Sequence, residues 1–391
     1  MSLLNKDNIH FFSDSGAELR LASSLFSFYD FEDNDYWYID FHRGWNLLLA
    51  IEYIPEDIRE RIRNNEVILL LNNSHEAYHD PIEFIYRYFV FNLNLPAENI
   101  RLLTESASIM DEVKKVAEQY QKPFIQVEWL RIFEFNVRNS IYIPNYRKLD
   151  TLNIKHYDKK FLNLNRRWRQ HRPMFVGLLE LNDLLDKGYV SFCKNVDGQS
   201  WDSVYGYMMS STQILCPELY QQFVDNKERL LNIPDMFLDT PELYVNQVQV
   251  DNNLDYHYEN TYFSVVNETN YFKDLGEGLF LSEKVFKPIL RCHPFIIVSR
   301  PYSLVKLREL GYKTFSPYID ESYDNEQDDY RRLLMIVEEV KRLSNLDSNQ
   351  LSEFLTGLKE IVEHNYNLLI SKDNTNRNEF ITRLGINDVR L

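Results

Sequence analysis

The chain has 391 residues, 44% of them hydrophobic and 26% charged, with a net charge of −16. That length fits two or three folded domains with ample core, and the acidic balance argues against broad binding to nucleic-acid backbones, though not against a local basic groove. Cys193, Cys216 and Cys292 show neither metal spacing nor a paired framework, so a reducing cytosol is the expected compartment. The first residues, MSLLNKDNIHFFSDSG, lack a basic start followed by a long apolar run, and no stretch of about 18 uncharged apolar residues occurs, so neither signal peptide nor membrane span is expected. Aromatics reach 14%. Most such rings fill cores, and some line sugar and nucleotide sites. The abundance of Asn, Tyr, Asp and Ile points to an AT-rich genome, such as a viral one.

In chain order, residues 36–41 alternate as a strand does, and residues 54–63 read as a short helix after Pro55. Residues 66–71 (EVILLL) form a continuous apolar run of strand length, as for a strand covered on both faces. A helix is expected over 81–91, opened by Pro81, then a strand over 100–104, a helix over 110–120 and a strand over 123–127. This rhythm implies a parallel sheet with right-handed crossovers. Residues 140–159 are polar and irregular and read as a bridge between domains.

A second rhythm follows: a strand over 160–164, a helix over 171–187, a strand over 189–192 and a looser stretch to about 251. After it come a strand over 262–266, a helix over 283–290, a strand over 294–298, a helix over 303–310 and a strand over 313–315. Residues 333–343 and 351–370 carry amphipathic helical spacing. The expected architecture is α/β, with two Rossmann-like domains and a cleft between them: 1–150 on the acceptor side, 151–370 binding a donor, and 371–391 a helical tail.

The richest segment is 262–299, YFSVVNETNYFKDLGEGLFLSEKVFKPILRCHPFIIVS. Ser282, Glu283 and Lys284 open a helix, whose unpaired N–H groups and partial positive charge suit a phosphate. Lys284 adds a full charge, and Glu283 offers acceptors for sugar hydroxyls. The ordered set Phe263-Ser264-Val265-Val266, Asn267-Glu268-Thr269, Phe280-Leu281-Ser282-Glu283-Lys284 and His293-Pro294-Phe295-Ile296-Ile297-Val298 resembles the signature of the α1,3-fucosyltransferases, which have the GT-B arrangement. The direct match covers about a tenth of the chain.

That resemblance implies nucleotide-sugar binding, with Lys284 on the diphosphate, Glu283 on the ribose and Glu268 near the sugar. Three departures leave the donor sugar open: Ser282 stands in place of Thr, Pro288 lies inside the helix, and His293 precedes Pro294. A second constellation, FLNLNRRWRQHR over 161–172, puts Asn165, Arg166, Arg167, Arg169 and Arg172 after a strand. Guanidinium forks fit phosphate oxygens in pairs. The resemblance assigns donor-phosphate contact to Arg166, with Arg169 in reserve. The same cluster, with Trp168 to stack, also suits single-stranded nucleic acid.

A third constellation, NNSHEAYHD over 72–80, follows the apolar strand. A transferase needs a base for the acceptor hydroxyl, and Glu76 is the first choice, with His75 or Asp80 next. His75-Glu76-x-x-His79 also matches the zinc-protease frame, although it lies in a loop before Asp80-Pro81. Asp33-Asn34-Asp35 fits the metal-binding Asp-x-Asp pattern in an acidic loop ahead of any nucleotide fold, and Asp320, Glu321 and Asp324 form a further acidic loop. The expectation is an inverting, metal-independent glycosyltransferase without a bound cofactor, its nucleotide-sugar a co-substrate. Its acceptor would be a glycan or a modified DNA base, in the cytoplasm (of a host, if viral). The alternatives are a zinc hydrolase or a non-catalytic module binding nucleotide-sugar or nucleic acid.

Overall fold

The computed structural model describes residues 9–13, 35–41, 47–48, 51, 54–73, 77–142, 146–153, 157, 159–165, 169–194, 201–238, 254–316 and 318–371. The chain forms two compact units: residues 1–132, 276–280 and 372–391 in the first, residues 133–275 and 281–371 in the second. Both are α/β with a wholly parallel sheet, so the expected class with two Rossmann-like domains is what the structure shows. The polar stretch read as a bridge packs within the second unit. There Thr151 Oγ1 donates to the Cys292 carbonyl, and the Tyr146 hydroxyl contacts the Leu290 carbonyl at 3.4 Å. Residues 372–391, most of the expected tail, lie outside the described residues. Among the described residues no helix is long and apolar enough to cross a membrane.

Among the described residues the first unit carries five strands: β1 (Ile9–Ser13), β2 (Asp35–Asp40), β3 (Val67–Asn73), β4 (Ile100–Thr104) and β5 (Gln126–Trp129). They lie side by side in chain order. Three helical connections follow: α1 (Glu56–Arg63), α2 (Asp80–Phe84, running on as a wider turn over Ile85–Asn92) and α3 (Ile109–Tyr120). A sheet that always steps the same way, with right-handed crossovers, puts all its helices on one face. The core bears this out. Ile39, Leu69, Leu71, Ile100 and Leu102 pack with Ile58 and Ile62 of α1, Ile82 of α2, and Val113 and Val116 of α3. The alternate residues Tyr36, Tyr38, Leu70 and Leu103 face the other way, toward Leu130 and Ile132. The apolar run of β3 thus serves two cores at once.

The second unit begins at Phe133, one residue into α4 (Ile132–Arg138). Its strands are β6 (Phe161–Asn163), β7 (Gly188–Val190), β8 (Phe263–Asn267) and β9 (Phe295–Val298), ordered β7-β6-β8-β9. The order reverses between β6 and β8, so α5 (His171–Leu181) and α10 (Glu283–Leu290) cross on opposite faces. The stretch read as loose holds α6 (Trp201–Leu215), α7 (Pro217–Asp225) and α8 (Lys227–Leu231), and α9 (Asp255–Glu259) leads into β8. Beyond β9 lie α11 (Ser303–Glu309), α12 (Asp329–Ser344) and α13 (Ser348–Ser371).

Two expectations are corrected. The helix expected to reach Lys187 ends at Leu181, where the Asn182 side chain bonds the Leu178 carbonyl at 2.9 Å and Asp183 adopts φ +54°. Residues 313–315 form no strand. The Lys313 amide donates to Asn365 Oδ1 at 2.8 Å and the Phe315 amide to Glu321 Oε1 at 2.5 Å, so side chains take the bonds a neighbouring strand would have made. Phe315 still packs edge-on against Phe295 of β9, 5.0 Å between ring centres.

Candidate functional site

In an open parallel sheet, ligands sit outside the carboxyl ends of the strands, where the strand order reverses. In the second unit that place lies beyond Asn163 of β6 and Asn267 of β8. β8 is buried along its whole length, and the chain after it stays buried as Glu268, Thr269 and Asn270.

Two helix starts grip this turn. From α5, His171 Nε2 donates to the Glu268 carbonyl at 3.0 Å, and Arg172 Nη2 reaches the Glu268 and Asn267 carbonyls at 3.1 and 3.4 Å. His171 stacks on Tyr271 at 5.2 Å between ring centres. Burial, and then the neighbouring Arg172, hold its imidazole well below its usual pKa, so the ring is neutral. From α10, Ser282 caps the helix, accepting from the Lys284 amide at 3.3 Å. Glu268 is fully buried. Its Oε1 accepts from the Ser282 amide at 3.0 Å, and its Oε2 from the Ser282 hydroxyl at 2.6 Å and the Thr269 amide at 3.0 Å. Burial raises its pKa, against the opposing pull of Lys284 and Ser282.

Lys284 stands at the edge of this turn, with 28% of its side chain exposed. Its ammonium lies 3.2 Å from both Thr269 Oγ1 and Ser282 Oγ, and it pairs with Glu283 Oε1 at 2.9 Å. Burial works against ionisation of Glu283, but Lys284 and Lys287 outweigh it and its pKa falls, so an anionic acceptor sits beside the ammonium. The helix continues through Pro288 to Leu290. An ammonium, a hydroxyl and a helix start together suit a phosphate oxygen, and the adjacent carboxylate suits a hydroxyl.

Of the residues singled out in the sequence, the structure brings Asn165, Glu268, Ser282, Glu283 and Lys284 to the carboxyl ends of β6 and β8. Asn165 is buried, its amide donating to Ser191 Oγ at 2.8 Å. Arg169 precedes α5, its carbonyl accepting from the Arg172 amide at 3.0 Å. Arg166, Arg167 and Trp168 lie outside the described residues, as do His75, Glu76, Asp33 and Asn34. Sequence reasoning passed over Asn163 and His171, named Asn267 only as part of the resembling motif, and read Arg172 as a phosphate candidate where the structure has it clamping the Asn267 and Glu268 carbonyls. The run Leu162-Asn163-Leu164-Asn165 held a signal, since alternate residues of an extended chain share a face.

Asp320, Glu321 and Asp324 each have structural work. The Asp324 carboxylate caps α11 through the amides of Leu304 and Val305, at 3.0 and 3.2 Å. Glu321 holds the Phe315 amide and pairs with Arg308 at 3.3 Å. Asp320 accepts from the Ser322 amide at 3.0 Å. A hollow beside this loop is lined by Arg308, Ser316, Asp320, Glu321 and Arg342, and both of its cations are paired, Arg342 with Glu339 at 2.5 Å.

In the first unit, Asn72 at the end of β3 donates to the Tyr38 hydroxyl at 2.9 Å. His79 Nε2 lies 3.0 Å from Ser106 Oγ and 3.3 Å from Ser108 Oγ. Residues 276–280 belong to this unit and close over the group. Their main chain exchanges bonds with Ala77, His79 and Ala107, and the Leu279 amide donates to Ser108 Oγ at 2.9 Å. Gly278 fits because it has no side chain. A Cβ there would stand 2.0 Å from Ser106 Oγ and 2.8 Å from the Ala77 carbonyl oxygen. No group of three or more His, Cys, Asp or Glu placed to hold a metal ion occurs among the described residues.

No family model matches the chain, and no curated protein matches it. Several solved structures resemble it distantly, two of them as follows. One is the glycosylation-associated protein (Gap123) complex of Streptococcus agalactiae, with 10% identity and a TM-score of 0.31 over 88% of this chain. This chain spans about half, 54%, of the streptococcal one. The other is the trehalose-6-phosphate structure from E. coli bound with UDP-2-fluoro glucose, with 12% identity and a TM-score of 0.43, covering 94% of this chain and 77% of that one.

Proposed function

We propose that the chain is a glycosyltransferase of the GT-B type that takes a nucleotide-sugar as donor. The observation that carries this is the seat at the reversal of the second sheet. There the start of α10, Ser282 and Lys284, locked by the buried Glu268, stands at the carboxyl end of β8 with the anionic Glu283 beside it. The likeness of residues 262–299 to the α1,3-fucosyltransferase signature supports the same assignment and leaves the sugar open.

In this reading Lys284 and the helix start hold the diphosphate, joined by Arg166 and Arg169, and Glu283 accepts from the ribose. The acceptor, a glycan or a modified DNA base, is held by the first unit. Its hydroxyl attacks the anomeric carbon as the bond to the diphosphate oxygen breaks, with inversion. The hydroxyl proton passes to Glu76, with His75 in reserve, and the nucleoside diphosphate leaves carrying the negative charge. The cations and the helix start take the electrostatic role that a divalent ion plays in other transferases.

A thermal-shift screen with UDP, GDP, ADP, CDP and dTDP tests the seat, since a ligand of the folded state raises the melting temperature by mass action. Release of sugar from the matching nucleotide-sugars tests the chemistry. Lys284→Ala is expected to keep the wild-type melting temperature and lose about 10²-fold in turnover, as when other preorganised charge stabilisers are removed. Glu76→Gln is expected to abolish transfer and keep diphosphate binding, and chelators are expected to change neither. Failure of every diphosphate to bind, or equal binding by Lys284→Ala, overturns the reading.

A further inference from the structure

Asn163, Asn165 and Asn267 are all buried where the sheet of the second unit reverses, with exposures of 0%, 1% and 2%. Their amides form an ordered chain. Asn163 Nδ2 donates to the Val265 carbonyl at 2.7 Å, which leaves its Oδ1 to accept from Asn165 Nδ2 at 2.5 Å. Asn165 Oδ1 then accepts from Asn267 Nδ2 at 2.6 Å, and Asn163 Oδ1 also lies 3.5 Å from that nitrogen. Each bond fixes the orientation of the next amide, so the chain has a defined last atom, Asn267 Oδ1. That oxygen is buried and finds no hydrogen-bond partner among the described residues.

A buried acceptor with no donor destabilises the fold. The cost is recovered only when a donor arrives from outside. An amide oxygen accepts from O–H or N–H and repels phosphate oxygens. Asn267 directly precedes Glu268, the residue that locks Ser282 beside Lys284. We infer that Asn267 Oδ1 receives a hydroxyl of the nucleotide-sugar, either of its ribose or of the sugar to be transferred, and so selects for that hydroxyl. The inference rests on the donor-site reading above.

Isothermal titration with the diphosphate found by the screen, its 2′-deoxy and 3′-deoxy forms, its glucose conjugate and singly deoxygenated glucose conjugates tests it. In the wild type, removal of one particular hydroxyl is expected to weaken binding about tenfold. In Asn267→Ala the same removal is expected to cost less than twofold. A ribose deletion and a glucose deletion distinguish the two sources. Should Asn267→Ala not fold, Asn267→Asp keeps an acceptor in nearly the same shape. It is expected to retain the hydroxyl preference while the diphosphate itself binds more weakly, whereas a purely structural role would weaken all ligands alike. Deletions that are all neutral in the wild type, or that cost the same in wild type and variant, overturn the inference and leave the transferase reading standing. Absence of any diphosphate binding overturns both.

Discussion

Glu268 is the residue on which the proposed donor seat turns, and its removal has a calculable cost. Its side chain is fully buried and receives three donors: the amides of Ser282 and Thr269 and the hydroxyl of Ser282. In Glu268→Ala these donors lose their partner in a place water does not reach. At about 1 kcal/mol for each group, the low end for a stranded buried donor, the loss is about 3 kcal/mol. Relief of the buried charge offsets part of this and the cavity left behind adds to it. In a unit of this size each kcal/mol corresponds to roughly 2–4 °C, so the melting temperature is expected to fall by about 10 °C. Glu268→Gln separates shape from charge. Its carbonyl oxygen can keep one amide, and the Ser282 hydroxyl can turn to accept from the new NH₂. One amide then faces a donor, and about a third to a half of the loss should remain. Circular-dichroism melts of the three proteins measure the effect, with diphosphate titration of Glu268→Gln as the functional arm. A melting temperature for Glu268→Ala within about 2 °C of the wild type would refute the account of how α10 is held in place.

Acid should loosen the second unit before carboxylates protonate. His293 is buried, with Nδ1 2.8 Å from Ser264 Oγ and Nε2 3.1 Å from the Thr261 carbonyl, and burial lowers its pKa from 6.5 to about 4. Between those values the unfolded chain binds a proton that the folded chain refuses, so stability is lost as pH falls from about 6.5 toward 4, by about 3 kcal/mol over the window. His171 has the same sign, and Glu268, whose pKa is raised, opposes them. Urea midpoints that stay flat from pH 7.5 to 5 would contradict this. Gly278→Ala should cost about 2 kcal/mol or more, because the new methyl meets the Ala77 carbonyl. Gly206→Ala, in α6 with nothing within 4 Å of the new carbon, should stabilise by about 0.5–1 kcal/mol. A denaturant midpoint that rises for Gly278→Ala, or falls for Gly206→Ala, would count against that assignment.

What the sequence made legible was local. The run Glu66 to Leu71 announced a strand buried on both faces, and β3 proves to separate the two cores of the first unit. Ser282, Glu283 and Lys284 announced a capped helix start, and α10 begins there. What stayed hidden depends on residues far apart in the chain. Asn267 meets Asn165 across 102 positions, and no periodicity predicts such a bond. Residues 276–280 come from the middle of the second domain's sequence and fold into the first unit, a placement that the tight Gly-Glu-Gly run permits but does not announce. β1 was missed because Ile9 to Ser13 is short and sits in polar surroundings, and its partner is β2 rather than anything adjacent in sequence.

The two sheets differ in a way that assigns their roles unequally. In the second unit the order β7-β6-β8-β9 sends one connection left and the next right, so the strand order reverses between β6 and β8, where an open parallel sheet takes a ligand. The buried asparagines, Glu268 and the start of α10 converge at the carboxyl ends of those two strands. In the first unit the order β1-β2-β3-β4-β5 never turns back among the described strands, so it has no such reversal point. Anything this unit binds must be held by the loops beyond its strands. The described residues nearest such a place are Asn72 and Asn73, which close β3, and His79, which lies against Ser106 and Ser108. A bound small molecule is therefore expected to order the second unit at a seat already built. On the transferase reading proposed above, an acceptor should bind the first unit more weakly, by surface loops, with its selectivity changed by substitutions in those loops rather than in the sheet.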